Sequence, residues 1–132
     1  MGLLKDRLIL VVDDDLMVAD LFKLTVESEG LRAEVAGDGK IALQKIADLK
    51  PDLVILDLMM PNMGGYEVLR KLQADPELNK MPVIVATAKI MDPGTKAVLT
   101  EGVNVPEIIE KPVDIEALMK LVHRMLPQEG RK

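Results

Sequence analysis

The stretch Leu8-Ile9-Leu10-Val11-Val12-Asp13-Asp14-Asp15 decides the fold. An unbroken aliphatic run closed by carboxylates reads as a strand buried on both faces, the kind found in parallel sheets. The same grammar repeats outward from it. Val18, Leu21, Phe22 and Thr25 fall at helical spacing, and Gly30 stands where a helix C-terminal glycine belongs. Ala33 to Ala36 is a weak second strand. Gly37-Asp38-Gly39 is a turn whose Asp38 caps a helix carrying Ala42, Leu43, Ile46 and Ala47 on one face, and Pro51 stops that helix. Leu53-Val54-Ile55-Leu56 is a third strand, ended by Asp57. The loop Met59 to Gly65 leads into a helix marked by Val68, Leu69 and Leu72.

Pro82 to Ala86 is a fourth strand, ended by Thr87, and Asp92-Pro93 starts a short fourth helix that Gly102 ends. Val105 to Glu110 is a fifth strand, ended by Lys111-Pro112. Ile115, Leu118, Met119, Val122, Met125 and Leu126 mark the last helix, and the tail Pro127 to Lys132 is polar. Five strands alternating with five helices predict an α/β domain, a parallel sheet covered on both faces. The 132 residues fit one domain with a single core, about residues 8–126.

Composition narrows the chemistry. Phe22 and Tyr66 are the only aromatic residues, so the core is aliphatic, and nine Met help to fill it. The absence of Cys excludes disulfides, thiolate metal sites and a Cys nucleophile. A lone His123 excludes His-cluster metal sites; near the end of its helix it interacts favourably with the dipole. A net charge of −5 with two aromatics argues against direct nucleic-acid binding. No apolar run has the length of a membrane span, and the first residues lack the apolar stretch of a signal peptide. The expectation is a cytoplasmic domain with no membrane partner, monomeric or weakly dimeric.

Asp13-Asp14, Asp57, Thr87 and Lys111 each follow a strand. In a parallel sheet those ends share one edge, where open α/β folds bind ligands. Three carboxylates brought together repel unless a cation lies among them. An all-oxygen ligand set selects a hard cation, Mg²⁺, with Mn²⁺ the alternative. A metal beside the ammonium of Lys111 suits a phosphoryl group, Thr87 adds a hydroxyl, and a central Asp can take the phosphoryl covalently. Singly, each of these residues is more often a turn or cap residue. The joint pattern carries the reading. Asp15 is assigned to the start of the first helix.

At Val11-Val12-Asp13-Asp14, Asp57-Leu58-Met59-Met60-Pro61-Asn62-Met63-Gly64-Gly65, Ala86-Thr87-Ala88 and Lys111-Pro112, with Asp14 and Asp57 forty-three residues apart, the chain resembles the receiver domains of bacterial two-component response regulators. The resemblance runs from about Leu8 to about Leu126. It implies a flavodoxin-like sheet in the order 2-1-3-4-5. It implies that Asp57 accepts a phosphoryl group from a sensor histidine kinase or a histidine phosphotransfer protein. Asp14, Asp57 and the backbone carbonyl of Met59 would ligate Mg²⁺, with Asp13 acting through water. Lys111 would pair with one phosphoryl oxygen and Thr87 with another, and the backbone N–H groups of Met59 and Ala88 would complete the cradle. The bond before Pro112 would be cis. Such a domain is not a conventional enzyme: its chemistry is Mg²⁺-dependent self-phosphorylation and autodephosphorylation.

The sequence departs from the family at Ile108, where receivers usually carry an aromatic ring that rotates as the Thr moves. Ile is smaller and stiff at χ1, so the expected switch uses backbone and the helix over 92–102 instead. The stretch from Thr87 to Lys111 is also about two residues longer than in many receivers, with Val103 to Pro106 the extra. Lys89 and Met59 flank the pocket, and Gly64 stands where Asp is common. The leading expectation is a stand-alone receiver that signals by phosphorylation-dependent partner binding or phosphorelay. A receiver-like adaptor that is never phosphorylated is the second reading. An Asp-nucleophile phosphatase is the third, disfavoured because such enzymes need an Asp where Met59 stands.

Overall fold

The structure is a computed structural model and describes residues 6–60, 63–88 and 107–126. Five strands and four helices lie among them: β1 (Leu8–Val12), α1 (Leu16–Ser28), β2 (Arg32–Ala36), α2 (Gly39–Leu49), β3 (Leu53–Leu56), α3 (Gly65–Ala74), β4 (Val83–Thr87), β5 (Glu107–Glu110) and α4 (Ile115–Met125). The strands form one parallel sheet in the order β2-β1-β3-β4-β5. That is the expected flavodoxin-like order. The helix expected between Asp92 and Gly102 lies outside the described residues.

The sheet separates two aliphatic cores, and alternation along the central strands supplies both. Ile9 and Val11 of β1, Leu53 and Ile55 of β3, and Ile84 and Ala86 of β4 join α1 and α4 on one face. Leu10 and Val12, Val54 and Leu56, and Val83 and Val85 join α2 and α3 on the other. This is why β1, β3 and β4 are continuously apolar: each residue has a core to fill, whichever way it points.

Local chemistry sets the helix boundaries. The Asp15 carboxylate accepts from the N–H groups of Met17 and Val18, Asp38 accepts from Ile41, and Asp114 accepts from Ala117. Gly30 takes a φ of +88° just beyond α1, a left-handed position that glycine fills without strain. Lys50 ends α2 with a φ of 47°, before Pro51. Two side-chain placements differ from the sequence reading. Leu21 is 50% exposed, because the inward arc of α1 is Ala19, Phe22 and Val26. Ala47 likewise stands exposed while Ala42 and Ile46 face inward.

β2 starts one residue earlier than expected, at Arg32, and β4 runs through Thr87 rather than ending at Ala86. In β5, Glu107–Glu110 are paired to β4, and residues 105–106 lie outside the described residues.

Candidate functional site

The site residues are held by extra rungs of the sheet. Just past β1, Asp13 donates its N–H to the Ala36 carbonyl at 3.1 Å. Just past β3, the Asp57 N–H donates to Val12 at 2.9 Å, and just past β5 the Lys111 N–H donates to Thr87 at 2.9 Å. Each side chain therefore leaves a backbone tied to the neighbouring strand. All three converge on the carboxyl edge, as the strand-end pattern predicts.

Asp13 and Asp57 are 2% and 6% exposed and Thr87 is 1% exposed, whereas Asp14 and Ala88 are open to solvent. Carboxylate oxygens of Asp13, Asp14 and Asp57 all lie within 4.8 Å of one another. Lys111 reaches across the sheet: its Nζ donates to Asp13 Oδ2 at 2.5 Å and to Asp57 Oδ2 at 3.4 Å. The Met59 N–H donates to Asp57 Oδ1 at 3.1 Å, and the Asp15 N–H donates to Asp13 Oδ1 at 2.9 Å. Among the described residues no buried side-chain polar atom lacks a partner.

The electrostatics follow from this packing. Burial pushes the Asp57 carboxyl above its usual range; the Met59 N–H and the Lys111 charge pull it back only in part, and Asp13 adds repulsion. Burial alone would lower the Lys111 ammonium. The hydrogen bond and charge of Asp13, followed by those of Asp57, outweigh it and hold Lys111 above its ordinary value. One ammonium thus offsets two buried carboxylates in a cluster of three. The excess negative charge and the oxygen-only donor set fit a small hard dication.

The structure brings Asp13, Asp14, Asp57 and Lys111 together and places Thr87 at the buried end of the neighbouring strand. Met59 follows on the rim, 54% exposed. The Lys111–Pro112 bond is cis, as expected. Ile108 is half-buried against the α2–α3 core. Lys89 lies outside the described residues.

Sequence reasoning missed two features. One is that Lys111 sits closer to Asp13 than to Asp57. The other is the role of Gly65. A Cβ there would collide with the backbone carbonyl of Asp57 and with Leu58 Cα, at 2.7 Å. The paired glycines of the loop hinted at a close backbone approach, but nothing in the sequence named its target.

Residues 9–123 match the family model described as the response regulator receiver domain. The chain belongs to this family. Its receiver stretch is 46% identical over 81 residues to the DNA-binding response regulator MtrA of Mycobacterium leprae, covering 61% of this chain and 35% of that one. It is 36% identical over 126 residues to the response regulator MprA of a Mycobacterium species, covering 92% of this chain and 53% of that one. The receiver chain therefore spans about a third to a half of the length of these curated relatives.

Among solved structures, it resembles the signal receiver domain of a signal transduction histidine kinase from Syntrophus aciditrophicus, with a TM-score of 0.83 and 31% identity over 96% of this chain and 95% of that one. The chemotaxis protein CheY4 of Vibrio cholerae gives a TM-score of 0.82 at 27% identity, over 91% of this chain and 98% of that one. Among the described residues, no helix of the receiver is long and apolar enough to cross a membrane.

Proposed function

We propose that Asp57 is the phosphoacceptor of this receiver and that a histidine kinase or a histidine phosphotransfer protein is its donor. The observation that carries this is the buried Asp57 carboxylate, held between the Met59 N–H and the Lys111 ammonium beside Asp13 and Asp14. Mg²⁺ or Mn²⁺ would be held by Asp14, Asp57 and the Met59 carbonyl, with Asp13 acting through water. When bound, the ion neutralises charge on the transferring group and on the acidic cluster.

The residues of the chain do the rest. Asp57 offers a carboxylate oxygen that attacks phosphorus in line. The new O–P bond forms as the P–N bond to the donor imidazole breaks, and that nitrogen keeps the electron pair. Lys111 is already within reach of Asp57 Oδ2 and neutralises charge on a phosphoryl oxygen. Thr87 and the Met59 and Ala88 N–H groups supply further donors. Positioning and charge are the whole contribution of the protein, which acts here as its own substrate rather than as a conventional enzyme.

The acylphosphate then controls an output by partner binding or onward transfer, and Ile108 marks where that switch departs from the ring-rotation device. The acidity of the receiver and its few aromatics argue against direct contact with nucleic acid. DNA recognition, which the name of MtrA states for that protein, would belong to chain outside this domain. Residues 8–126 form the receiver as one unit, and the proposed compartment is the cytoplasm.

The test is incubation with a small acyl phosphate and Mg²⁺, read by intact mass. One added phosphoryl group on the wild-type chain and none on Asp57→Asn is the expected result. No labelling of the wild type would favour the unphosphorylated adaptor. Rapid turnover of many phosphate esters would favour the phosphatase.

A further inference from the structure

The phosphoacceptor loop is propped by a residue far from the acid cluster. Gly39 is the first residue of α2, and its N–H donates to the Met63 carbonyl at 3.2 Å. A Cβ at Gly39 would lie 2.6 Å from the Met63 carbonyl oxygen, 2.7 Å from Met63 Cγ and 2.9 Å from Val68 Cγ2. Met63 Cγ could yield by rotamer change, whereas Val68 is β-branched and buried within α3; the carbonyl oxygen moves only if the loop backbone moves.

From Met63 the path to the acceptor is short. Gly64 follows Met63, and a Cβ on it would sit 3.2 Å from the Leu58 carbonyl oxygen. Gly65 comes next, its N–H donating to the same Leu58 carbonyl at 3.2 Å, and it has no room for a Cβ against the Asp57 backbone. Gly39, Met63, Gly64 and Gly65 thus form one backbone seam that ends on Asp57 and Leu58, immediately before the Met59 N–H that holds the Asp57 carboxylate.

We propose that Gly39 is a positioning residue for phosphoryl transfer: its missing side chain lets α2 seat the Met63 carbonyl, and through Gly64 and Gly65 that contact sets the place of Asp57 and of the Met59 N–H. The proposal rests on Asp57 being the acceptor. Its route is mechanical, and it predicts that a small push at α2 degrades the reaction more than it degrades the fold. Ala is the better helix former, so Gly39→Ala gives no intrinsic reason for α2 to melt.

The test compares Gly39→Ala in the 132-residue chain with Asp38→Ala, which removes the cap of the same helix by deleting its bond to the Ile41 N–H. Both are labelled with a small acyl phosphate and Mg²⁺ well below their melting temperatures, and the Met59 amide resonance is followed by NMR. Gly39→Ala is expected to slow labelling by about 10-fold and to shift the Met59 resonance. Asp38→Ala is expected to stay within about twofold of the wild-type rate, although it too loses stability. Adding Val68→Ala to Gly39→Ala, which relieves only a side-chain contact, should not restore the rate.

Equal rates for the two single variants, or recovery with Val68→Ala, would overturn the proposal. If Gly39→Ala does not fold, Gly64→Ala presses the same seam: slowed labelling by folded protein supports the route, and an unchanged rate overturns it. An unlabelled wild type would instead count against Asp57 as acceptor. The Met59 resonance would then decide the seam alone, its shift in Gly39→Ala supporting the route and its constancy overturning it.

Discussion

Asp57 carries a stability cost at neutral pH. Its carboxyl is raised in the folded chain, so between the unfolded and folded values the native state holds more protons. The stability this contributes is complete below the unfolded value and is lost as pH rises through the folded one. Asp57→Asn should therefore raise the melting temperature by a few degrees at neutral pH in metal-free buffer. That gain should vanish below about pH 4. Thermal melts across this range check both halves, and an Asn variant less stable at neutral pH would contradict the account.

Lys111 has the complementary role. Lys111→Met leaves Asp13 and Asp57 buried without their counter-charge, and a loss of about 3–5 kcal/mol is expected in urea unfolding. Millimolar Mg²⁺ should recover part of it by binding the native state. Asp14→Asn should abolish most of the Mg²⁺-dependent rise in melting temperature while leaving the metal-free value little changed, because Asp14 is exposed.

At the scale of elements, what the sequence makes legible follows from burial. β1, β3 and β4 announce themselves because both faces of each are filled. Asp15 and Asp38 were readable as caps because capping is a local hydrogen bond. α1 was harder to read. Leu21 shares helical spacing with Phe22, yet only one side of that arc meets the sheet, and periodicity alone does not say where the arc is centred.

The acid cluster was legible because strand ends of a parallel sheet must share an edge. The closer pairing of Lys111 with Asp13 was not, since it depends on ångström-level packing between strands. Gly39 and Gly65 were hidden for the same reason: what each would touch is set by tertiary approach. α2 offers an element-scale check. Ile46 is fully buried between α2 and the sheet, so Ile46→Ala should cost about 2–5 kcal/mol in chemical denaturation. The metal-dependent labelling of folded protein should be unaffected, because Ile46 lies about two turns along α2 from Gly39.

On the scale of the whole molecule, the two cores cannot melt separately. Each central strand gives alternate residues to both, so losing either face frees the strand from the other. Calorimetry should show a single transition with calorimetric and van't Hoff enthalpies in agreement. Val26→Ala and Val54→Ala, one in each core, should shift that same transition. Two resolved transitions would contradict the shared-sheet account.

The fold itself does not choose an output. Its similar structures include a receiver of a histidine kinase and a chemotaxis protein, and its curated relatives include a DNA-binding regulator. What the likeness supports in common is the carboxyl-edge site, and there the central claim is that Asp57 is the atom-level acceptor. The most direct measurement is to label the wild-type chain with Mg²⁺ and a small acyl phosphate, reduce it with borohydride, and sequence the peptides by mass spectrometry. The account predicts homoserine at position 57 only, appearing only with divalent metal. Homoserine at position 13 or 14, or a phosphorylated side chain elsewhere with Asp57 intact, would contradict it.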